Sequence, residues 1–437
     1  MNTTDFKKHY RIEGPTSLKG TVRISGSKNA SLAIMAGSLL TAKDVTLKDV
    51  PHLKDVDLMA DVLRWMGAKV EFEKNTMRIE SREISRCETP FDLISQMRAS
   101  IYVMGPLLAR FGQVRIALPG GCAIGSRPVN FHLNGLQQMG AEINLDHGYI
   151  DARAKKLKGA RIYLDFPSVG ATSNLMMAAT LADGVTVIDN AAEEPHIMDL
   201  AWFLKSLGAR IKGEGTKTIT VEGAPTLHGT THTMIPDQIE AGTFMVAAAV
   251  SKGKVWLENT RSADLKSIIT KLKEASVAIR EQKGTLRING KKKTTALEIT
   301  TLSHPGFPTD MQPQMMAMLS TAEGVSIIKE TVWENRFMHV AELCRMGADI
   351  RVQGNTAIIS GKEKLTGTEV VASDLRAGAA LVLAGIAAEG TTLVYSIEHI
   401  DRGYENFEGK LSSLGVKIKR ISPAAEPVVE LKTVSTG

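Results

Sequence analysis

A chain of 437 residues with 43% hydrophobic and 23% charged residues has room for two or three domains with apolar cores, and its balance excludes a disordered or fibrous protein. The 53 basic and 47 acidic side chains leave a net charge of +6, which favours anionic partners, but no Lys/Arg block marks a nucleic-acid-binding arm. Three cysteines (Cys87, Cys122 and Cys344), an odd set without metal-ligand spacing, argue against a disulfide framework and for a reducing compartment.

The opening residues MNTTDFKKHY hold no apolar segment of signal-peptide type. The longest apolar stretch, Ala377 to Ala388, is too short to span a bilayer. The expectation is a soluble cytoplasmic protein.

One pattern returns six times, at intervals of roughly 70 residues, the mark of a repeated supersecondary unit. Each copy starts with polar or glycine residues and enters an Ala/Met/Leu-rich helix. A strand-like run follows, then an amphipathic helix that closes on Gly67-Ala68, Gly140-Ala141, Gly208-Ala209, Gly347-Ala348 or Gly415-Val416. The copy at Ser276-Val277 has drifted. The apolar helices are predicted from Asn29, Arg98, Thr172, Glu240, Asp310 and Asp374, and the amphipathic ones near Asp55, Asn130, His196, Asp264, Arg336 and Tyr404.

The third unit is the clearest. Gly170–Gly184 is apolar on nearly every face, so its helix is buried all round. Val185–Asn190 reads as a strand. Ile197, Leu200, Ala201, Leu204 and Leu207 then fall at helical spacing, and two further strands follow. Each unit therefore reads β-α-β-α-β-β, and six units divide into two domains of three, with a boundary near residues 232–237. Helices lie inside; strands and amphipathic helices lie outside. Inner helices that run parallel bring their N-termini together, and their free N–H groups form an anion site.

The residues at those helix starts are polar. Asn29, Asp310 and Asp374 fit ordinary N-caps. Lys28 and Arg98 do not, because a helix N-terminus repels cations, so these two call for an anion. Leu118–His132 holds three glycines and two prolines. Cys122 lies there between Gly121 and Ala123, accessible, with Arg127 five residues on to lower a thiol pKa. Cys344, in an apolar run, reads as a buried inert thiol. Arg336 and Arg402 read by themselves as solvated surface arginines, and His132 and His339 as hydrogen-bonded structural histidines.

Taken in order, the segments SGSKNA, MRAS, PGGCAIGSRPV, PSVGAT, FPTDMQ, ENRFMH, SDLRA and HIDRGYE resemble the UDP-N-acetylglucosamine 1-carboxyvinyltransferases, enolpyruvyl transferases of peptidoglycan synthesis within the EPSP synthase family. The resemblance covers essentially the whole chain. It implies two inside-out α/β barrel (prism-like) domains, each of three βαβαββ repeats, with the active site in the cleft between them. By that resemblance residues 1–26 plus 236–437 form one domain and residues 27–235, which carry the Cys122 loop, the other.

The implied reaction moves the enolpyruvyl group of phosphoenolpyruvate to the 3-hydroxyl of UDP-N-acetylglucosamine and releases phosphate, the first committed step towards peptidoglycan. The implied catalytic residues are Cys122 as proton donor and adduct-forming thiol, Asp310 as base, Lys28, Arg402, and Asp374 as a second carboxylate. Lys28, Asn29, Arg127 and Arg402 match phosphoenolpyruvate contacts. Asn29, Arg98, Arg127, Pro128, Val129, Asn130, Phe131, Ser168, Val169, Gly170, Asp310 and Val332 match UDP-sugar contacts. Phe166 and Gln238 stand where some members carry a basic residue, and Asn130 where Asp is usual. No metal or cofactor, no nucleic acid and no membrane is implied, and Cys122 marks the chain as a target of the epoxide fosfomycin. Rival readings are a 5-enolpyruvylshikimate-3-phosphate synthase, which needs no such cysteine loop, a ring-shaped nucleic-acid clamp, and a silent paralogue that only binds UDP-sugar.

Overall fold

A computed structural model describes residues 8–89, 91–118, 129–282 and 284–422, the side chains of Ile94, Ser95, Gln96 and Arg98 excepted. Six helical segments are mostly apolar and mostly buried, Met104–Phe111 only through Leu108. Ile239–Ala249 of the helix Gln238–Val250 is buried without a break, and so is Arg376–Ile386 of the helix Leu375–Ala387. The others are Lys28–Gly37, Met104–Phe111, Val169–Ala179 and Gln312–Leu319. Their apolar faces leave them nowhere stable but the interior.

The inner helices start close to the predicted residues, with two exceptions of kind. The segments at Arg98 and Asp310 open as 3-10 turns, Arg98–Val103 and Thr309–Met311, before the α-helix begins. The outer helices predicted at Arg336 and Tyr404 start later, as Val340–Arg345 and Phe407–Ser413, because turns occupy the preceding residues.

The recurring Gly-Ala signature has a physical cause. Each outer helix ends on a residue in the left-handed region: Gly67 at φ 105°, Gly140 at 91°, Gly208 at 104°, Gly347 at 93° and Gly415 at 96°. The chain then turns back: Gly67 N–H donates to the Arg64 carbonyl and Ala68 N–H to the Leu63 carbonyl, each at 3.0 Å, as in a glycine C-cap. The drifted copy keeps the geometry, with Ser276 at φ 69°.

The sheets follow one plan. In the third unit Arg161–Tyr163 runs parallel to Val185–Asp189, which pairs antiparallel with Thr218–Glu222, the partner of Arg210–Lys212. The fifth unit repeats that order. Four sheets depart from a simple β-α-β-α-β-β repeat, the second unit's because it has only three strands among the described residues. Lys19–Arg23 precedes the first inner helix in sequence but joins the fourth unit's sheet, parallel to Lys254–Glu258. Thr230–Thr233 precedes the fourth inner helix but joins the first unit's sheet, parallel to Val45–Lys48. The sixth sheet takes its central strand from His9–Gly14, between Gly390–Tyr395 and Lys417–Ile421.

Two buried apolar clusters result. One collects residues from Ala30 to Ile235; the other collects Tyr10 to Ile24 together with Ile239 to Ile418. The chain passes between them twice, side by side. Gly26 and Pro236 form an antiparallel bridge, Ser27 N–H donates to the Ile235 carbonyl at 2.7 Å, and Asp237 N–H donates to the Ser25 carbonyl at 2.9 Å. A Cβ on Gly26 would lie 1.8 Å from the Asp49 carbonyl oxygen, so only glycine fits this crossing.

Candidate active site

The double crossing places two inner-helix N-termini against each other. Asp237 caps the helix Gln238–Val250, its Oδ1 accepting from the Ile239 and Glu240 N–H groups at 2.9 Å each. Its other oxygen, Oδ2, accepts the Lys28 N–H at 3.0 Å. One carboxylate thus serves two helix starts. The Lys28 helix is capped by Ser27, not Asn29, which lies inside the first turn.

Lys28 is buried and finds its counter-charge in Asp55, at 2.7 Å from Nζ to Oδ2. Arg402 donates from Nε to the other oxygen of Asp55 at 2.8 Å. Asp55 belongs to the first apolar cluster's outer helix Lys54–Trp65, and Arg402 ends the 3-10 segment Ile397–Arg402 on the second cluster. Burial pushes the Asp55 carboxyl up, but Lys28 and Arg402 outweigh it and bring its pKa below the ordinary value. Neither cation stands alone in solvent.

A second ionic group lies on the second cluster. Asp310 accepts from Arg336 Nη2 at 2.9 Å on one oxygen, and from Arg376 Nε and Nη2 at 3.1 and 3.0 Å on the other. It therefore receives two arginines instead of capping a helix. Arg336 and Arg376 are 3% and 2% exposed. This corrects the solvated surface expected for Arg336: charge this deep persists only when paired. Burial disfavours the Arg376 charge, yet the Tyr404 hydroxyl with Asp310 and Asp237 raises its pKa above the ordinary value. Asp374 does cap its helix, accepting from the Arg376 and Ala377 N–H groups at 2.8 and 3.1 Å.

Asp237 and His196 join the two groups. His196 is buried where it feels Asp237, Asp310, His304 and Asp199, and burial lowers its pKa to about 4, so it is neutral at pH 7. His339, between Asp374 and Arg336, is also lowered by burial, to about 4. His132 exchanges a hydrogen bond with Asn174 at 2.9 Å, as a structural histidine would.

The remaining predicted contacts are spread around this centre. Val129, Asn130 and Phe131 begin the outer helix Asn130–Gln138, with Asn130 exposed. Ser168 caps the inner helix Val169–Ala179 and leaves Val169 and Gly170 half-buried in its first turn. Val332 N–H donates to Glu330 Oε1 at 2.9 Å, in a turn that Glu330 also ties to Thr301 and Thr309. Arg98 opens its 3-10 segment. Cys122, Arg127 and Pro128 lie outside the described residues. Cys344 is exposed, not buried: the short helix Val340–Arg345 turns Val340 and Leu343 inward and leaves Cys344 on the other side.

Sequence reasoning passed over Asp55, Asp237 and His196 as site residues. Asp237 stands directly before an apolar helical run, which is a cap signal. Nothing local distinguishes Asp55 from any acidic residue in a first turn. Among the described residues no group of three or more His, Cys, Asp or Glu could hold a metal ion, and no helix is long and apolar enough to cross a membrane.

The EPSP synthase (3-phosphoshikimate 1-carboxyvinyltransferase) family model matches residues 12–411. UDP-N-acetylglucosamine 1-carboxyvinyltransferase 1 of Caldanaerobacter subterraneus subsp. tengcongensis is 56% identical over 415 residues, covering 95% of this chain and 100% of that protein. The UDP-N-acetylglucosamine 1-carboxyvinyltransferase of Magnetococcus marinus is 54% identical, over 94% of this chain and 98% of its own. The enolpyruvyl transferase NikO from Streptomyces tendae superposes with a TM-score of 0.87 at 25% identity, over 96% of this chain and 100% of that one. EPSP synthase from Acinetobacter baumannii shares the fold, with a TM-score of 0.75 at 20% identity over 94% and 99% of the two chains. The two-cluster α/β architecture, the paired ionic groups at its inner-helix starts and these likenesses place the chain in the EPSP synthase family of enolpyruvyl transferases, among the UDP-N-acetylglucosamine 1-carboxyvinyltransferases.

Proposed function

We propose that the chain transfers the enolpyruvyl group of phosphoenolpyruvate to the 3-hydroxyl of UDP-N-acetylglucosamine, and that it does so between residues 27–235 as one domain and residues 8–26 plus 236–422 as the other. The observation that carries the reading is the meeting of Lys28 and Arg402 from the two clusters on a single buried carboxylate, Asp55. Phosphoenolpyruvate brings two anionic groups on three carbons. Lys28 and Arg402, with Arg127 and the N–H groups at the Lys28 helix start, supply the cations and donors that hold it.

The chemistry needs a base and an acid. Asp310, oriented by Arg336 and Arg376, takes the proton of the sugar hydroxyl, whose oxygen bonds to C2 of phosphoenolpyruvate. The Cys122 thiol gives a proton to C3. The Cys122 thiolate then takes a proton back from C3, the bond from C2 to the phosphate oxygen breaks, the double bond returns in the product, and phosphate departs with the proton that Asp310 held. Asp374 is the second carboxylate of this centre. Ser168–Gly170, Val129–Phe131, Arg98, Asn29, Pro128 and Val332 hold the UDP-sugar. This reading implies a cytoplasmic enzyme. Fosfomycin alkylates Cys122.

The test is a pair of variants. Asp310→Asn and Cys122→Ser should each lose at least about a hundredfold in phosphate release, the scale of a missing acid or base, while calorimetry shows UDP-N-acetylglucosamine still bound. Near-normal release from either variant would remove that residue from its role.

A further inference from the structure

Three residues beyond Arg402, Glu405 makes a second link between the two clusters. Its Oε1 accepts the His52 N–H at 2.8 Å and Asn75 Nδ2 at 2.7 Å, both from the first cluster's side. Its Oε2 accepts the Ser25 hydroxyl at 2.6 Å, on the segment that crosses between clusters. Ser25 Oγ in turn accepts Lys410 Nζ at 2.6 Å, and Lys410 reaches Glu240 Oε1 at 2.5 Å. Asn75 is itself fixed: Nδ2 also donates to the Val50 carbonyl at 2.8 Å, and its N–H donates to His52 Nε2 at 3.3 Å. The His52 ring stacks on Phe72 with centroids 4.2 Å apart.

The arrangement is paired in sequence on both sides. His52 precedes Asp55 by three residues, and Glu405 follows Arg402 by three. Two segments thus face each other through two contacts, Asp55 with Arg402 and His52 with Glu405. The contacts differ in what substrate does to them. On the function proposed above, phosphoenolpyruvate draws on Lys28 and Arg402 and competes with Asp55 for both. The Glu405 contact has no part in that exchange.

We propose that Glu405 is a positioning residue for the phosphoenolpyruvate end of the site, holding the Arg402 turn opposite Lys28 while Asp55 yields its cations to the substrate. This rests on the enolpyruvyl-transfer reading. The chemistry suits the role. A carboxylate oxygen accepts two donors at once, and charge-assisted bonds are the strong ones. Burial raises the Glu405 carboxyl, but the bonds from His52, Ser25 and Asn75 outweigh it and lower its pKa, so Glu405 accepts as an anion at neutral pH. A site built from two bodies loses affinity when one of its cations is out of register.

The experiment uses the full chain and steady-state phosphate release. Glu405→Gln presents an amide where three donors converge, and should raise KM for phosphoenolpyruvate about tenfold. KM for UDP-N-acetylglucosamine and kcat should stay within about twofold, and Tm within a few degrees, since the loss is local. Glu405→Asp, which keeps the charge but shortens the reach, should fall between. Asn75→Ser removes the Nδ2 group that donates to Glu405 and to the Val50 carbonyl, without touching the Arg402 turn. It should move the phosphoenolpyruvate KM the same way, about threefold, and it decides the matter should Glu405→Gln fail to fold. An unchanged phosphoenolpyruvate KM would overturn the proposal. So would a parallel rise in both KM values with a falling Tm, the pattern of a general loosening. Wild-type protein inactive with both substrates present would instead overturn the reading beneath it.

Discussion

Replacing Asp55 by Asn keeps its shape and removes its charge, leaving Lys28 facing a neutral amide. Lys28 has 11% of its side chain exposed and Asp55 4%, so the pair is buried in the sense that matters for energy. Removing one partner of such a pair costs about 3 to 5 kcal/mol, most of it the penalty of an uncompensated charge. Arg402 has 34% of its side chain exposed, so water screens its share, and the lower end, about 3 kcal/mol, is the better figure.

In a domain of about 200 residues that is a fall of roughly 6 to 12 °C in Tm. The folded-state pKa of Asp55 lies below its ordinary value, so its contribution is present above the unfolded carboxylate pKa and fades as pH falls through the folded one. Wild-type and Asp55→Asn melting curves should therefore begin to converge below about pH 4 and meet only below the folded-state pKa. Inorganic phosphate supplies the missing negative charge, so millimolar phosphate should stabilise the variant more than the wild type, in the manner of any ligand that binds only the folded state. Scanning calorimetry with and without phosphate reads all three effects. A variant melting within 2 °C of wild type at pH 7 (under about 1 kcal/mol), or one indifferent to phosphate, would refute the reasoning.

Further outcomes follow from the same geometry. Ser276 sits at φ 69° where the sister units use glycine, so Ser276→Gly should stabilise the protein by about 1 kcal/mol in urea unfolding, because the left-handed conformation costs a non-glycine residue about that much. Burial raises the Glu194 pKa to about 7, so folding favours its protonated form, and stability is lost as pH rises through 7; Glu194→Gln should gain about 3 kcal/mol over wild type at pH 8 and nothing at pH 4. His196 has the opposite sign. Its pKa of about 4 makes the folded state bind fewer protons than the unfolded state between pH 6.5 and 4, and acid should destabilise wild type more than His196→Gln across that window. Fosfomycin with UDP-N-acetylglucosamine should add its mass once to the wild type and not to Cys122→Ser, as intact mass spectrometry would read.

The repeat and the burial of the inner helices were legible in the sequence because both rest on local chemistry. A helix with no polar face has to be interior, and a C-cap that needs φ near 100° selects glycine five times. The exchange of Lys19–Arg23 and Thr230–Thr233 between sheets was not legible. Each strand precedes its helix as any other unit's strand does, and only the pairing partner, more than 180 residues away in sequence, distinguishes them. Lys28 and Arg98 drew attention because a cation at a helix start violates a local preference. Arg336 gave no such signal. Its burial depends on Asp310, 26 residues earlier, and on a turn where periodicity suggested a helix. Asp55 was silent for the same reason, since its value comes from Arg402, 347 residues on.

Whether this site joins phosphoenolpyruvate to a nucleotide sugar is read from phosphate release by the wild-type protein, with UDP-N-acetylglucosamine and shikimate 3-phosphate offered in parallel. Release with the nucleotide sugar alone is expected. Release with shikimate 3-phosphate alone would keep the fold and contradict the substrate, and release with neither would contradict the reaction.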